Sequence, residues 1–152
     1  MRTFELNIFI DIPPRVVYEH MAEPINMIGL QPRLTTIDVL KEQKDAKGIV
    51  LRPFHTVETF RWGGLPLFRN RIYSVIHLTN PYSELEFRMY SWPNIRILYK
   101  YTFSEVDEKR THLVQRVDFE QVNKLLENIV FDHALKSQRA VLTNLKVRLE
   151  KL

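Results

Sequence analysis

The chain contains no cysteine, which removes disulfide staples, zinc ribbons, thiol nucleophiles and iron–sulfur ligation together. Glycine is almost as scarce. Four in 152 residues mean few turns and long elements between them, and they could hardly build a phosphate cradle. The dinucleotide-binding glycine pattern, the P-loop and the nucleophile elbow are all absent, so nucleotide-dependent chemistry and that class of hydrolase are not expected. No apolar run approaches the 18 or more residues of a membrane span. The opening Met-Arg-Thr-Phe-Glu-Leu-Asn has no charged start, apolar stretch and small-residue cleavage site, so a cytoplasmic protein is the expectation. Most of the chain also lacks an excess of either charge: residues 1–132 carry 17 basic and 17 acidic side chains. The strand arginines Arg52, Arg61, Arg69, Arg71, Arg88 and Arg96 are interleaved with acids, which argues against nucleic acid as a partner. The whole net charge of +4 lies in the last twenty residues, on Lys136, Arg139, Lys146, Arg148 and Lys151 against Glu150. That excess reads as a solvated helix face, with an acidic partner or anionic surface as the alternative.

What is present is an ordinary globular composition, 45% apolar and 26% charged. At this length folding buries roughly 70% of the unfolded chain's surface, enough for one core, and the expectation is a single domain over residues 1–152. Phe4, Leu6, Ile8 and Ile10 alternate with Glu5 and Asn7, the period-two pattern of a strand. Pro13-Pro14 suits a first helical turn, so a short helix is predicted over Arg15–Met21, broken by Pro24, with a second short helical piece reaching Ile28. From residue 35 the chain turns β-rich. Strands are predicted over Ile37–Glu42, Ile49–Trp62, Phe68–Leu78 and Glu84–Ser91, then around Ile95–Phe103 and Leu113–Phe119, with Gly63-Gly64 at a tight hairpin. After Phe119 there is neither glycine nor proline. Leu135, Gln138, Leu142, Leu145, Leu149 and Leu152 recur at alternating spacings of three and four, one face of a long helix. Carried back through Phe131 towards Val122, it would reach roughly 45 Å at about 1.5 Å per residue.

This order describes an α+β fold: a curved antiparallel sheet of six or seven strands, two short helices after the first strand, and one long C-terminal helix. Only that helix is long enough to cover the sheet's apolar face, and a curved sheet gripping a straight helix leaves a gap suited to a ligand. In the segment Ile10-Asp11-Ile12-Pro13-Pro14-Arg15-Val16-Val17-Tyr18-Glu19-His20-Met21 the chain resembles the strand-to-helix passage of the START-like (SRPBCC) superfamily, in particular its polyketide cyclase/dehydrase-like members. Pro32, Gly63-Gly64 and the Phe131–Leu152 helix fall where that family would place them. The resemblance implies a helix-grip fold holding a hydrophobic ligand between sheet and helix. It also spans lipid carriers, coenzyme-Q-binding proteins, hormone receptors and aromatase/cyclases, so it does not decide whether a reaction takes place.

Strand parity puts Phe87, Met89, Tyr99, Tyr101 and Gln115 on the inward face, together with Ser74 if Arg69 and Arg71 point outward. A buried hydroxyl or amide costs about 1–3 kcal/mol when unpaired, so Ser74, Tyr99, Tyr101 and Gln115 each need a partner: backbone, water or ligand. Trp62, Leu65, Pro66, Leu67 and Phe68 crowd the hairpin tip. Turned inward they would be core. Turned outward, Trp62 and Phe68 would form a cavity lip, a homodimer contact, or an anchor on a membrane or partner, and the sequence does not choose between monomer and homodimer. The five histidines, at positions 20, 55, 77, 112 and 133, make no ligand motif, so no metal and no cofactor are expected. His55 and Glu58 lie three apart on one strand and face opposite sides, with Glu58 expected outside and His55 half-buried. Three readings stand: a binding module for a lipid, polyketide or quinone-like molecule; a cyclase, aromatase or dehydratase moving protons with Tyr99, Tyr101 or His55; or a lipid-transfer protein working through its tip and basic helix.

Overall fold

The computed structural model describes residues 2–62 and 65–151, the side chains of 59–62 and 66–68 excepted. Strand β1 (Arg2–Ile10) leads through Pro13-Pro14 into helix α1 (Pro14–Met21) and a 3-10 turn at Pro24–Met27. Strands β2 (Leu34–Val39), β3 (Gln43–Lys44), β4 (Val50–Trp62), β5 (Leu65–Asn80), β6 (Glu84–Ser91), β7 (Ile95–Asp107) and β8 (Arg110–Gln121) follow, and helix α2 (Glu127–Glu150) closes the order. All eight strands join one antiparallel sheet in the order β1-β8-β7-β6-β5-β4-β2, with β3 beside β4. The two short helical pieces stand where the sequence put them, and the long helix ends the chain in the expected order.

Three boundaries differ from expectation, each for a local reason. The single strand expected over Ile37–Glu42 is two, which makes eight strands rather than six or seven. Leu40 N–H donates to the Pro53 carbonyl, but Pro53 has no N–H to return, so pairing lapses and resumes only at Gln43 opposite Leu51. The final helix begins at Glu127, not near Val122. Asn123 forms a turn in which its side-chain oxygen accepts from Leu125 N–H (2.8 Å) and its carbonyl from Leu126 N–H (2.9 Å). The helix is therefore 24 residues, about 36 Å, rather than 45 Å. Its buried face adds Ala134 and Val141 to Gln138, Leu142, Leu145 and Leu149, whereas Leu135 is only half-buried.

The sheet's concave face packs in two apolar clusters. One gathers Ile10, Val17, Tyr18, Phe103 and Leu113 against Val141, Leu142, Leu145 and Leu149 of α2. The other holds Ile95, Ile97, Val117 and Phe119 against Ala134. Tyr99 touches both.

Of the five cations of the last segment Lys136, Arg139 and Lys151 are exposed, as a solvated face requires, but Lys146 and Arg148 are tied down. Lys146 Nζ donates to the Phe9 carbonyl (2.6 Å) and to Glu150 (2.8 Å), tying the helix to β1. Arg148 donates to the carbonyls of Asn26 and Ile28, both at 2.6 Å, and to His20 Nε2 at 3.2 Å, so that nitrogen carries no proton. Burial, then Arg148, hold the His20 pKa below its usual value, in keeping with that neutral acceptor. Gly29 makes this clamp fit: its φ is +86°, and a Cβ there would stand 2.7 Å from Arg148 Nη2. Gly29→Ala is expected to lower stability by at least the roughly 1–2 kcal/mol of a left-handed alanine. Its effect should be less than additive with Arg148→Met, because both disrupt one contact; urea unfolding of the two single variants and the double variant checks this.

Candidate functional site

Between the two clusters the sheet and α2 part, and the gap forms a cavity of two lobes, about 570 and 680 Å³ including their openings to solvent. Gln31, Glu58, Ile72, Met89, Tyr99 and Gln138 line both lobes and form the waist between them. The strands reach it in register. Phe54 pairs with Ser74, Ser74 with Met89, and Met89 with Ile97; one row away Ile76 pairs with Phe87 and Phe87 with Tyr99. Side chains of equal parity on paired strands share a face, so these rows build the cavity wall.

Of the residues singled out in the sequence, Ser74, Phe87, Met89, Tyr99 and Tyr101 line the cavity. Gln115 does not. It lies fully buried beneath, where its amide donates to the Tyr101 hydroxyl (2.7 Å) and to Gln138 Oε1 (2.8 Å), while its own Oε1 has no partner among the described residues. Tyr101 and Gln115 face each other across β7 and β8, and Gln138 completes the trio from α2. Trp62 and Phe68 have side chains outside the described residues. Within the same tip Leu65 is 71% exposed.

Burial pushes the Tyr99 phenol far above its usual pKa, helped by Tyr101 and Glu58. Burial likewise raises Tyr101, opposed by its bond from Gln115. Both are neutral phenols at physiological pH, able to donate or accept a hydrogen bond but not to act as phenolate bases. The Tyr99 hydroxyl makes no hydrogen bond to the described residues and faces a cavity that can supply one.

Two expectations are corrected here. Glu58 points inward and is 7% exposed, on the parity of Phe54 and Thr56. His55 is half-buried as expected, but it lies on the opposite face, where its ring meets Tyr73 at 5.1 Å, so it cannot serve chemistry in the cavity. Glu58 Oε1 accepts from Gln31 Nε2 (2.9 Å), and Oε2 stands 3.6 Å from Nε2 of His133 on α2. Arg33 Nη1 lies 3.2 Å from His133 Nδ1. Since a guanidinium only donates, Nδ1 is the acceptor and Nε2 bears the proton that faces Glu58. Default sidedness, with charge outward, hid this group; the shared parity of Phe54, Thr56 and Glu58 was the signal that reveals it. Glu58 and His133 could each ligate a metal, but no third His, Cys, Asp or Glu joins them among the described residues.

The family model for polyketide cyclase/dehydrase and lipid transport matches residues 1–150. The chain belongs to that family. No curated protein matches it in sequence. Among solved structures it is similar to a START superfamily protein from Mycobacterium smegmatis (TM-score 0.72, 10% identity, 98% of this chain and 97% of that one). It is also similar to the Zhui aromatase/cyclase from Streptomyces sp. R1128 (0.69, 18%, 97% and 95%) and to a protein from Thermus thermophilus (0.72, 16%, 97% and 96%). At such identities these likenesses establish the helix-grip fold and nothing finer. As in that fold, the long helix lies along the concave face of the sheet, and among the described residues no helix is long and apolar enough to cross a membrane.

Proposed function

We propose that this member of the polyketide cyclase/dehydrase and lipid transport family binds a small hydrophobic or aromatic ligand, of lipid, polyketide or quinone-like character, in the cavity between sheet and α2. The observation that carries the reading is the wall itself: Ile72, Met89 and Tyr99 line both joined lobes, Phe54 and Phe87 one and Ile95 and Ile97 the other. Most of the wall's surface is therefore apolar, although polar groups such as Glu58, Gln31 and Gln138 are set into it. An apolar guest there replaces water against aromatic and aliphatic surface, gaining about 25 cal/mol for each Å² buried. Nile red, an uncharged apolar dye, is expected to bind saturably and to quench or receive emission from a Tyr99→Trp variant. Ser74→Trp, which fills the cavity from β5, is expected to weaken dye binding about tenfold, ~1.4 kcal/mol, while the protein still unfolds cooperatively. Absence of saturable binding to folded protein would defeat the reading.

A second reading, a cyclase- or dehydratase-type enzyme, is favoured by one observation: the cavity contains a carboxylate facing an imidazole N–H, Glu58 and His133. That pair takes the place His55 had in the sequence-based version. Ligand recovered unaltered after prolonged incubation supports the carrier; a product that forms with wild type and not with Glu58→Gln supports the enzyme.

A further inference from the structure

We propose that Glu58 selects the ligand's polar group, admitting molecules that present a hydroxyl or amino donor and rejecting carboxylates on the same skeleton. The inference rests on the ligand-binding reading above and adds the chemistry at one point of the cavity. Glu58 sits at the waist and lines both lobes, so a guest spanning them passes its carboxylate. The two carboxylate oxygens offer about four acceptor sites. Gln31 fills one at 2.9 Å, and His133 approaches another only at 3.6 Å, beyond good hydrogen-bond length. The remaining lone pairs of a nearly buried group must find donors, and a ligand hydroxyl or amine at the waist supplies them. The hydroxyl of Tyr99, also at the waist, can accept a hydrogen bond from such a donor or donate one to a hydroxyl oxygen.

An anionic ligand meets the opposite conditions. Among the described residues no lysine or arginine lines either lobe. The cation of the cluster, Arg33, is exposed and stands behind His133, engaged with Nδ1 on the side away from the Nε2 that faces Glu58. A carboxylate head group at the waist would therefore face Glu58 with no lining cation among the described residues to offset the repulsion, in a setting where solvent screens little. A fatty acid entering head first is the wrong guest; a phenol, an alcohol or an amine on an apolar body is the right one.

Three probes of one skeleton test this: naphthalene, 2-naphthol and 2-naphthoate, titrated by isothermal calorimetry or by displacement of Nile red. Wild type is expected to bind 2-naphthol at least about tenfold more tightly than 2-naphthoate, and more tightly than naphthalene. Glu58→Gln removes the charge and adds an N–H donor, so 2-naphthoate should gain about tenfold while 2-naphthol changes little, and the gap should close. The wild-type comparison needs no variant, and Glu58→Gln is close to isosteric; circular dichroism confirms that it folds. If 2-naphthoate binds wild type as tightly as 2-naphthol, or if the gap persists unchanged in Glu58→Gln, the inference is overturned while ligand binding stands. If none of the three probes nor Nile red binds, the ligand-binding reading falls and this inference with it.

Discussion

Deleting residues 135–152 is expected to leave insoluble protein without a cooperative unfolding transition. The segment contributes Val141, Leu142, Leu145 and Leu149 to the larger apolar cluster, and each side chain stabilises by about 1.5–3 kcal/mol when moved from water into the core. Those four together rival the whole net stability of a typical domain, about 5–15 kcal/mol. The deletion also removes Arg148 from the carbonyls of Asn26 and Ile28, and Lys146 from β1. What remains is a large antiparallel sheet with one bare apolar face, a surface that associates with itself. Soluble yield, near-ultraviolet circular dichroism and urea titration report the result. A soluble truncation with a sharp urea transition would show that the sheet does not depend on α2. Leu145→Asp in the full chain is expected to reproduce much of the loss, because it places a charge at a position with no exposure.

The second large effect is expected at the buried trio. Gln138→Leu removes the oxygen that accepts from both Gln115 and Tyr101, leaving two buried donors short of a partner. An unsatisfied group of this kind destabilises by about 1–3 kcal/mol, so the variant should lose several degrees of Tm and a corresponding share of its urea midpoint. Replacing all three members, Tyr101→Phe with Gln115→Leu and Gln138→Leu, removes donors and acceptors together and should recover most of that loss. The non-additivity is the diagnostic: a triple variant no more stable than Gln138→Leu alone would mean that shape, not hydrogen bonding, governs the position. Gln115 Oε1 has no partner among the described residues, so within them the trio is one bond short of full satisfaction.

Much of the architecture was legible along the chain because its determinants are local. Leu85, Phe87, Ile97, Tyr101, Leu113, Val117 and Phe119 alternate with polar neighbours, and all are buried on one face of the sheet. A strand half-covered by a helix admits no other parity, since a shift of one residue would put every apolar side chain in water. The 3-4 spacing from Gln138 to Leu149 likewise fixed which side of the last helix turns to the sheet. Boundaries were less legible where one residue's hydrogen-bonding capacity decided them. The missing N–H of Pro53 splits β2 from β3, and the side-chain oxygen of Asn123 delays α2 until Glu127.

The site divides along the same line. Sequence parity determined that Phe87, Met89, Tyr99 and Tyr101 look toward the helix, and Ser74 with them once Arg69 and Arg71 are taken to point outward, because facing is a property of a strand and its period. Only the tertiary structure decided what they look at. Glu58 is held by Gln31, 27 residues earlier, and approached by His133 from the final helix, while Arg33, two residues after Gln31, reaches that histidine from the same stretch before β2. No spacing along the chain encodes those meetings. They follow from the curvature that brings β4 and α2 to the same gap, and a carboxylate is tolerated inside because Gln31 and His133, from two distant segments, converge on it.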